Sequence, residues 1–539
     1  MNHLVIAPIL LPLLAGILLL MFRRTDIRLR RVFSVAAVLG QIGLAWSLLQ
    51  AVGDGDILTY TLGDWPAPYG IVLVADRLAA WMLMATALVA LFAALHACRG
   101  IDVAGPTGRP PRSQDPLAAP QGGTMPVLGR PGDGHFHVLF QLQLMGLNGA
   151  FLTGDLFNLF VFFEVLLLAS YGLVLHGGGR LRTRAGLHYV VLNLAGSSLF
   201  LIAVGTLYGL FGTLNMADLA VKMAAVSPEN LGPARAAGLL LFAVFALKAA
   251  LLPLHLWLPA AYAQTSAPVA ALFAIMTKVG AYSILRVSTL MFGAQAGGIH
   301  GPVAGMGGLI EPWLLPLALA TLILGLLGVL AARGLREQAA YLVAASVGSL
   351  LTAFALGSAD GIAAGLYYLP HSTFAAAAMF LLADHVAHGR GELADRFEPG
   401  PAMAGAPILG GLFFVTAMLA AGLPPLSGFV GKFLLLKAAM AHPAWPWIMA
   451  LVLSGGLLAV IALARSGSLL FMRTLPLEEG AAPPAAPASN IALVPVIGLL
   501  LLTLALTLAA GPIHALAAAT AEQLLQPHLY VHAVLGDRP

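Results

Sequence analysis

An all-α polytopic membrane protein with about 14 transmembrane helices is the fold class this sequence predicts, by the usual spanning length of about 20 residues. Three observations carry the prediction. Of the 539 residues, 60% are hydrophobic and only 9% charged, with a mean hydropathy of +0.91, whereas soluble domains carry roughly a quarter charged residues. Apolar runs long enough to cross a hydrocarbon core recur from the first line of the sequence to the last. Basic residues, finally, collect in alternate connections between those runs.

The runs lie near 3–22, 32–52, 71–98, 136–153, 155–176, 186–212, 236–258, 265–290, 312–332, 338–357, 361–388, 404–441, 447–473 and 491–512. No basic residue precedes the first run and an arginine cluster follows it, the reverse of a secretory signal peptide, so it reads as a retained first helix that starts outside. Short cytoplasmic loops collect Lys and Arg. Arg23, Arg24, Arg28, Arg30 and Arg31 follow helix 1, Arg180, Arg182 and Arg184 follow helix 5, and Arg333 and Arg336 follow helix 9. Those three connections are therefore expected in the cytoplasm. The acidic or neutral connections Asp54–Asp64, Gly154–Asp155, Gly293–Glu311 and Gly357–Gly361 fall outside on the same count. An even number of helices puts both termini outside, in the periplasm or beyond the plasma (inner) membrane. The net charge of +4 thus reports topology and not nucleic-acid binding.

The expected organisation is helices 1–3 over 1–98, a flexible cytoplasmic loop over 99–135, a first bundle of helices 4–8 over 136–290 and a second of helices 9–13 over 291–473. A second cytoplasmic loop over 474–490 precedes the last helix and an external tail over 491–539. The two loops are rich in Pro, Gly and Ala and have no core of their own. One cysteine, Cys98, excludes an intrachain disulfide, a CxxC metal site and an iron–sulfur cluster. No nucleotide fingerprint, zinc spacing or nucleophile motif is present, so no cofactor and no metal is expected.

An ion at mid-bilayer costs roughly 2.5–3.5 kcal/mol even on mild insertion scales. Glu164, Lys248, Lys278 and His371 each fall near the midplane at about 1.5 Å per helical residue, forming a row across the membrane. Helices 7 and 12 are interrupted by Pro253 and by Pro424 and Pro425, close to Lys248 and Lys432. Proline frees a backbone carbonyl, which the membrane tolerates only beside protein or water, and paired interrupted helices near a charge mark transport sites. Lys437 sits nearer the outer boundary. Asp155 heads helix 5, where a carboxylate is favourable in any case. His385, His388, Arg390, Glu392 and Asp395 gather at a cytoplasmic end and read as a solvated face.

The strings DLFNLFVFFEV (155–165), FALKAALLPLHLWLPAAYAQTSAPVAALFAIMTKVGAYSILR (245–286) and AGLPPLSGFVGKF (421–433) resemble the antiporter-like membrane subunits. That superfamily is shared by respiratory complex I, membrane hydrogenases and the multisubunit Mrp-type cation/proton antiporters. The resemblance runs from about the second helix to the thirteenth, and the openings MNHLVIAPILLPLL (1–14) and RRVFS (30–34) are most similar to the D-type subunits of Mrp/Pha antiporters. It implies inverted five-helix repeats over helices 4–8 and 9–13. It implies proton-translocating roles for Glu164 on helix 5, Lys248 on helix 7, Lys278 on helix 8 and Lys432 on helix 12, with His255 just past the first break and His371 on helix 11. Many relatives carry a lysine four residues beyond that histidine; here the position is Ala375, so His371, alone or with water, has to connect Lys278 to Lys432.

Charge pairing supplies the expected mechanism. Two unit charges about 4 Å apart at an effective dielectric near 20 attract by about 4 kcal/mol. With Glu164 ionised and close, Lys248 holds its proton; with Glu164 drawn away, the proton moves through water to Lys278 and past His371 to Lys432. Lysine suits this where arginine, which does not deprotonate in proteins, does not. The implied function is a proton-translocating subunit of a multicomponent Na⁺(K⁺)/H⁺ antiporter, a secondary transporter and not an enzyme. It would work with A-, C-, E-, F- and G-type membrane proteins in a lipid bilayer. The alternative is a proton-pumping membrane subunit of an NADH:quinone oxidoreductase or a membrane hydrogenase, which would share every residue named; a purely structural scaffold would have no use for the buried row.

Overall fold

The computed structural model describes residues 3–22, 26–98, 135–292, 306–475 and 490–536. Arg23 and Arg24, most of the loops expected over 99–135 and 474–490, and most of the 293–311 connection lie outside the described residues.

Helices α1 (Ala7–Met21), α2 (Ile27–Ala51) and α3 (Arg77–Ala97) come first. A first run of five crossings follows: α4 (His135–Leu152), α5 (Leu156–Leu175), α6 (Arg180–Phe211), then, after the short α7 (Met216–Ala224), the pair α8 (Pro228–Ala249) and α9 (Trp257–Gln264), and α10 (Ala267–Val287). The second run is α11 (Glu311–Ala331), α12 (Leu335–Ala355), α13 (Ala359–Arg390), the pair α14 (Ala406–Ala421) and α15 (Ser427–Ala439), and α16 (Trp445–Gly467). The chain ends in α17 (Val494–Leu508), α18 (Ala510–Leu524) and α19 (Pro527–Leu535). Counting each broken pair once gives 14 segments through the bundle among the described residues, and 11 of their helices are long and apolar enough to cross a membrane.

The elements alternate between two faces. The first is fixed by an antiparallel hairpin of β1 (Leu58–Thr61) and β2 (Val72–Ala75). Both described ends of the chain meet that hairpin: the rings of His3 and Tyr60 are 5.7 Å apart, and α19 packs on β1 and α7. Both ends therefore share one face, which an even number of crossings requires. The first run of five starts from the opposite face at α4, and the second starts from the hairpin face at α11, so the two run in inverted order.

Local chemistry sets the element ends. Asp76 caps α3 by accepting the Ala79 N–H at 2.9 Å, and Asp155 caps α5 through Asn158 at 2.8 Å, each satisfying an amide left over at a helix start. Close packing uses glycine: a Cβ on Gly280 of α10 would lie 2.4 Å from the Ala249 nitrogen and 2.8 Å from the Lys248 carbonyl carbon. Only hydrogen fits there, so α10 rests directly on the end of α8. Helices α10 and α13 are buried along their whole apolar length, whereas α2 and α16 expose leucine and tryptophan outward. Helix α13 is the central pillar, in contact with α3, α10, α12, α14, α15, α17 and α18.

Two expectations need correction. The apolar residues 72–75, read as the start of helix 3, are a strand; the helix begins only where Asp76 can cap it. The arginines at 180, 182 and 184 lie within the first turns of α6 and not in a loop, and Arg182 is buried, donating to the Gln264 carbonyl at 2.9 Å. The C-terminal tail is two helices held to the hairpin face. Arg77 Nη1 donates to the Ala519 carbonyl at 3.1 Å and Gln523 Nε2 to that of Gly55 at 2.8 Å.

Candidate functional site

Both broken crossings end their first half in the same way. Helix α8 stops with Ala250 at φ +57° and the Leu251 N–H on the Ala246 carbonyl at 2.8 Å; α14 stops with Gly422 at φ +78° and the Leu423 N–H on the Met418 carbonyl at 3.0 Å. Each is a left-handed closure with a six-to-one hydrogen bond. The prolines follow in the exposed links, Pro253 after α8 and Pro424 with Pro425 after α14. The C-terminal carbonyls of both half-helices thus end inside the bundle, where the negative pole of the helix favours a cation.

A lysine stands at each break. Lys248 sits in the last turn of α8, 6% exposed, and its Nζ donates to the backbone and side-chain oxygens of Asn193 at 3.4 Å each. Lys432 of α15 reaches back so that its Nζ donates to the carbonyl of Ala421, the last residue of α14, at 2.7 Å. Trp257 of α9 ties the first break together by donating to the Leu247 carbonyl at 3.1 Å, and Thr321 of α11 accepts the Leu252 N–H at 2.8 Å.

Glu164 does not touch Lys248; the expected direct pair is replaced by a polar bridge on α6. The Ser197 hydroxyl is within hydrogen-bonding reach of the Glu164 carboxylate and, at 3.1 Å, of the Asn193 carbonyl, which also accepts from Lys248. Asn193 and Ser197 are one turn apart, so a single helix face connects the acid to the amine. Neither residue is among those expected from the sequence. Their signal was available: two polar side chains at an i, i+4 spacing in an apolar span.

Lys278, fully buried on α10, donates to Ser346 Oγ of α12 at 3.1 Å. Ser346 opens onto a cavity of about 30 Å³ lined by Tyr368, His371, Ser372 and Ala375 among others. That volume with those hydroxyls suits one or two waters, and the small side chain at 375 is what leaves it open. On the far side His371 Nδ1 shares a proton with Ser427 Oγ at 2.9 Å, at the start of α15. The expected row therefore falls into three hydrogen-bonded groups at mid-depth: Glu164–Ser197–Asn193–Lys248, Lys278–Ser346 with the cavity and His371–Ser427, and Lys432–Ala421. These are carboxylate, amine, imidazole and hydroxyl groups able to bind and release protons.

The structure does not join His255 to this row. It lies in the exposed link after α8, and its Nδ1 is buried without a partner among the described residues. The supposed solvated face at 385–395 is also corrected. His388 and Glu392 are exposed, but His385, Arg390 and Asp395 are buried, because α3 and α12 close over that end of α13.

The family described as "NADH:quinone oxidoreductase/Mrp antiporter, TM" matches residues 153–459, more than half of the chain. A Rhizobium meliloti protein named as the D-type subunit of a probable K⁺/H⁺ antiporter is 40% identical over 99% of this chain and 98% of its own. The Bacillus subtilis protein named as the D-type subunit of a Na⁺/H⁺ antiporter is 36% identical over 100% of both. Among solved structures, a chain of the Mrp complex from Dietzia sp. superposes with a TM-score of 0.82 at 27% identity, covering 99% of this chain and 100% of that one. A chain of respiratory complex I from Thermus thermophilus gives 0.72 at 25% identity, covering 96% and 99%. A polytopic helical fold, two broken crossings each with a lysine at the break and these full-length relatives lead to one conclusion: the chain belongs to the NADH:quinone oxidoreductase/Mrp antiporter family of membrane proteins.

Proposed function

We propose that this chain is the D-type, proton-translocating subunit of a multicomponent Na⁺(K⁺)/H⁺ antiporter. Protons move along Glu164, Lys248, Lys278, His371 and Lys432, coupled to monovalent cation efflux, with His255 at the rim of the first break. The observation that carries the reading is a lysine at each inward-facing half-helix terminus: Lys248, buried in the last turn of α8, and Lys432, half-buried and donating to Ala421 at the end of α14. A lysine there is charged when the pole and its oxygen partners hold it and neutral when they withdraw, so the proton moves without any covalent chemistry.

In this reading the arginine-bearing face, with Arg28, Arg30, Arg31, Arg180, Arg333 and Arg465, is cytoplasmic, and the hairpin face with both termini is external. The bundles over 136–290 and 291–473 act as two proton-handling halves. Each charge moved through 100 mV gains about 2.3 kcal/mol, so membrane voltage drives more than one proton in per cation out. The A-, C-, E-, F- and G-type membrane proteins complete the complex. The relatives that span both chains from end to end are named as D-type antiporter subunits, which favours this reading over membership of an NADH:quinone oxidoreductase.

The test is cation-dependent pH recovery in everted vesicles containing the whole complex. Addition of K⁺ or Na⁺ is expected to collapse the acid interior in wild type and not with Glu164→Ala. Unchanged recovery in the variant would sink the proposal.

A further inference from the structure

The end of α13 away from the hairpin holds a second set of buried ionisable groups that the row from Glu164 to Lys432 does not use. Asp384 lies between two basic side chains: Arg336 Nη2 of α12 is 2.5 Å from its Oδ1, and His96 Nε2 of α3 is 3.4 Å from its Oδ2. The His385 ring stands edge-on to that of His96 at 5.2 Å, and Asp395 Oδ2 accepts the Arg336 backbone N–H at 2.7 Å. His96 is 0% exposed, His385 3% and Asp384 6%. Locking α12 to α13 needs no more than the Asp384–Arg336 pair. The two imidazoles add groups that change charge near physiological pH.

Two further observations bear on the space between this cluster and the row. Arg182 Nη2, Gln264 Oε1, Thr265 Oγ1, Ser266 Oγ and Arg336 Nε are buried with no protein partner among the described residues, and buried polar groups of this kind are normally satisfied by water. Arg182 of α6 also lies near enough to Arg336 to repel it. The cavity beside His371 extends along α13 through Ser372, Ala375 and Ala376 to Met379. Asp384 lies five residues beyond Met379, about 7.5 Å along the helix.

We propose that Asp384, with His96 and His385, is the port through which protons pass between the cytoplasm and the His371 cavity. The proposal rests on the antiporter reading and on its cytoplasmic assignment of this face. Arg336 fixes the carboxylate, and the imidazoles exchange protons with the hydrated surroundings. Among the described residues, the charged or titratable groups at Asp384 include His96 from α3 and Arg336 from α12, with His385 next to it on α13 and Asp395 and Arg182 beyond Arg336. Helices α14 and α17 carry no titratable side chain; Lys278 of α10 and Lys432 of α15 lie at mid-depth, and Arg286, Lys437, His514 and Glu522 lie toward the hairpin face.

The experiment measures cation-driven proton flux through the whole complex in everted vesicles, varying the pH of the cytoplasmic side and of the lumen independently. Asp384→Asn and His385→Gln are each expected to move the cytoplasmic-side pH profile by about one unit, a tenfold change in proton occupancy, and to leave the lumenal profile in place. His385→Gln keeps the Asp384–Arg336 pair and serves if Asp384→Asn fails to assemble. Profiles unmoved on both sides, or moved equally on both, in fully assembled complex overturn the port. Absence of any cation-driven flux in wild type overturns the antiporter reading instead, so the two failures are distinguishable.

Discussion

Replacing Ser197 by alanine removes the hydroxyl within reach of both the Glu164 carboxylate and the Asn193 carbonyl that also accepts from Lys248, a hydroxyl whose single proton goes to one of the two acceptors at a time. Alanine is a better helix former than serine, so α6 remains intact and the change is confined to the bridge. Hydrogen bonds to charged groups contribute about 1.5–3 kcal/mol. At about 1.4 kcal/mol per tenfold change, losing this one shifts the sharing of a proton between acid and amine by roughly ten- to a hundredfold. The pH optimum of cation-driven exchange is therefore expected to move by about one to two units, with the amount of assembled complex unchanged. Ser198→Ala is the matched control, since its hydroxyl is exposed and bonds only the Leu194 carbonyl, at 3.2 Å. The assay is pH recovery in everted vesicles over a range of external pH. An optimum that stays in place for Ser197→Ala, or moves as far for Ser198→Ala, refutes the bridge.

Asp76→Asn breaks the buried two-pronged pair with Arg286, whose nitrogens lie 2.6 and 2.7 Å from the carboxylate. It is expected to cost about 3–5 kcal/mol, read as a lowered unfolding midpoint in detergent. Ala375→Leu fills the space beside His371 at an overpacking cost of about 1–3 kcal/mol; complex should still assemble while exchange falls, and exchange at the wild-type rate argues against a water-filled link. Gly422→Ala places a Cβ 2.7 Å from Lys432 Cδ at φ +78°, adding about 1–2 kcal/mol of backbone strain and pulling the amine off Ala421. Ala250→Gly, at φ +57°, relieves the same strain in the other break and should leave unfolding and exchange near wild type.

Long-range hydropathy made the fold legible. Most crossings are apolar runs of sufficient length, and Pro253, Pro424 and Pro425 announce the two breaks because each follows a left-handed helix end, whereas Pro12, Pro316 and Pro370 lie inside continuous helices. The row was legible for the same reason, since an ion in an apolar run stands out. What could not be read is what depends on partners far apart in sequence. Asp76 and Arg286 are 210 residues apart and Asp384 and His96 288 apart, and each looks like an ordinary charge at a helix end until its helices pack. The strand at 72–75 was hidden because IVLVA is as apolar as the helix it precedes. Ser197 and Asn193 were overlooked because a single uncharged polar residue costs little in a helix and does not stand out from an apolar run as an ion does; only their i, i+4 spacing marks them.

The measurement that tests the account most directly is proton flux driven by an imposed K⁺ or Na⁺ gradient in proteoliposomes containing the complete complex, wild type against Lys248→Ala at equal complex content. The account predicts flux in the first and none above background in the second. Equal flux in both would show that protons cross without the amine at the end of α8, and the reading of these buried lysines as proton carriers would be wrong.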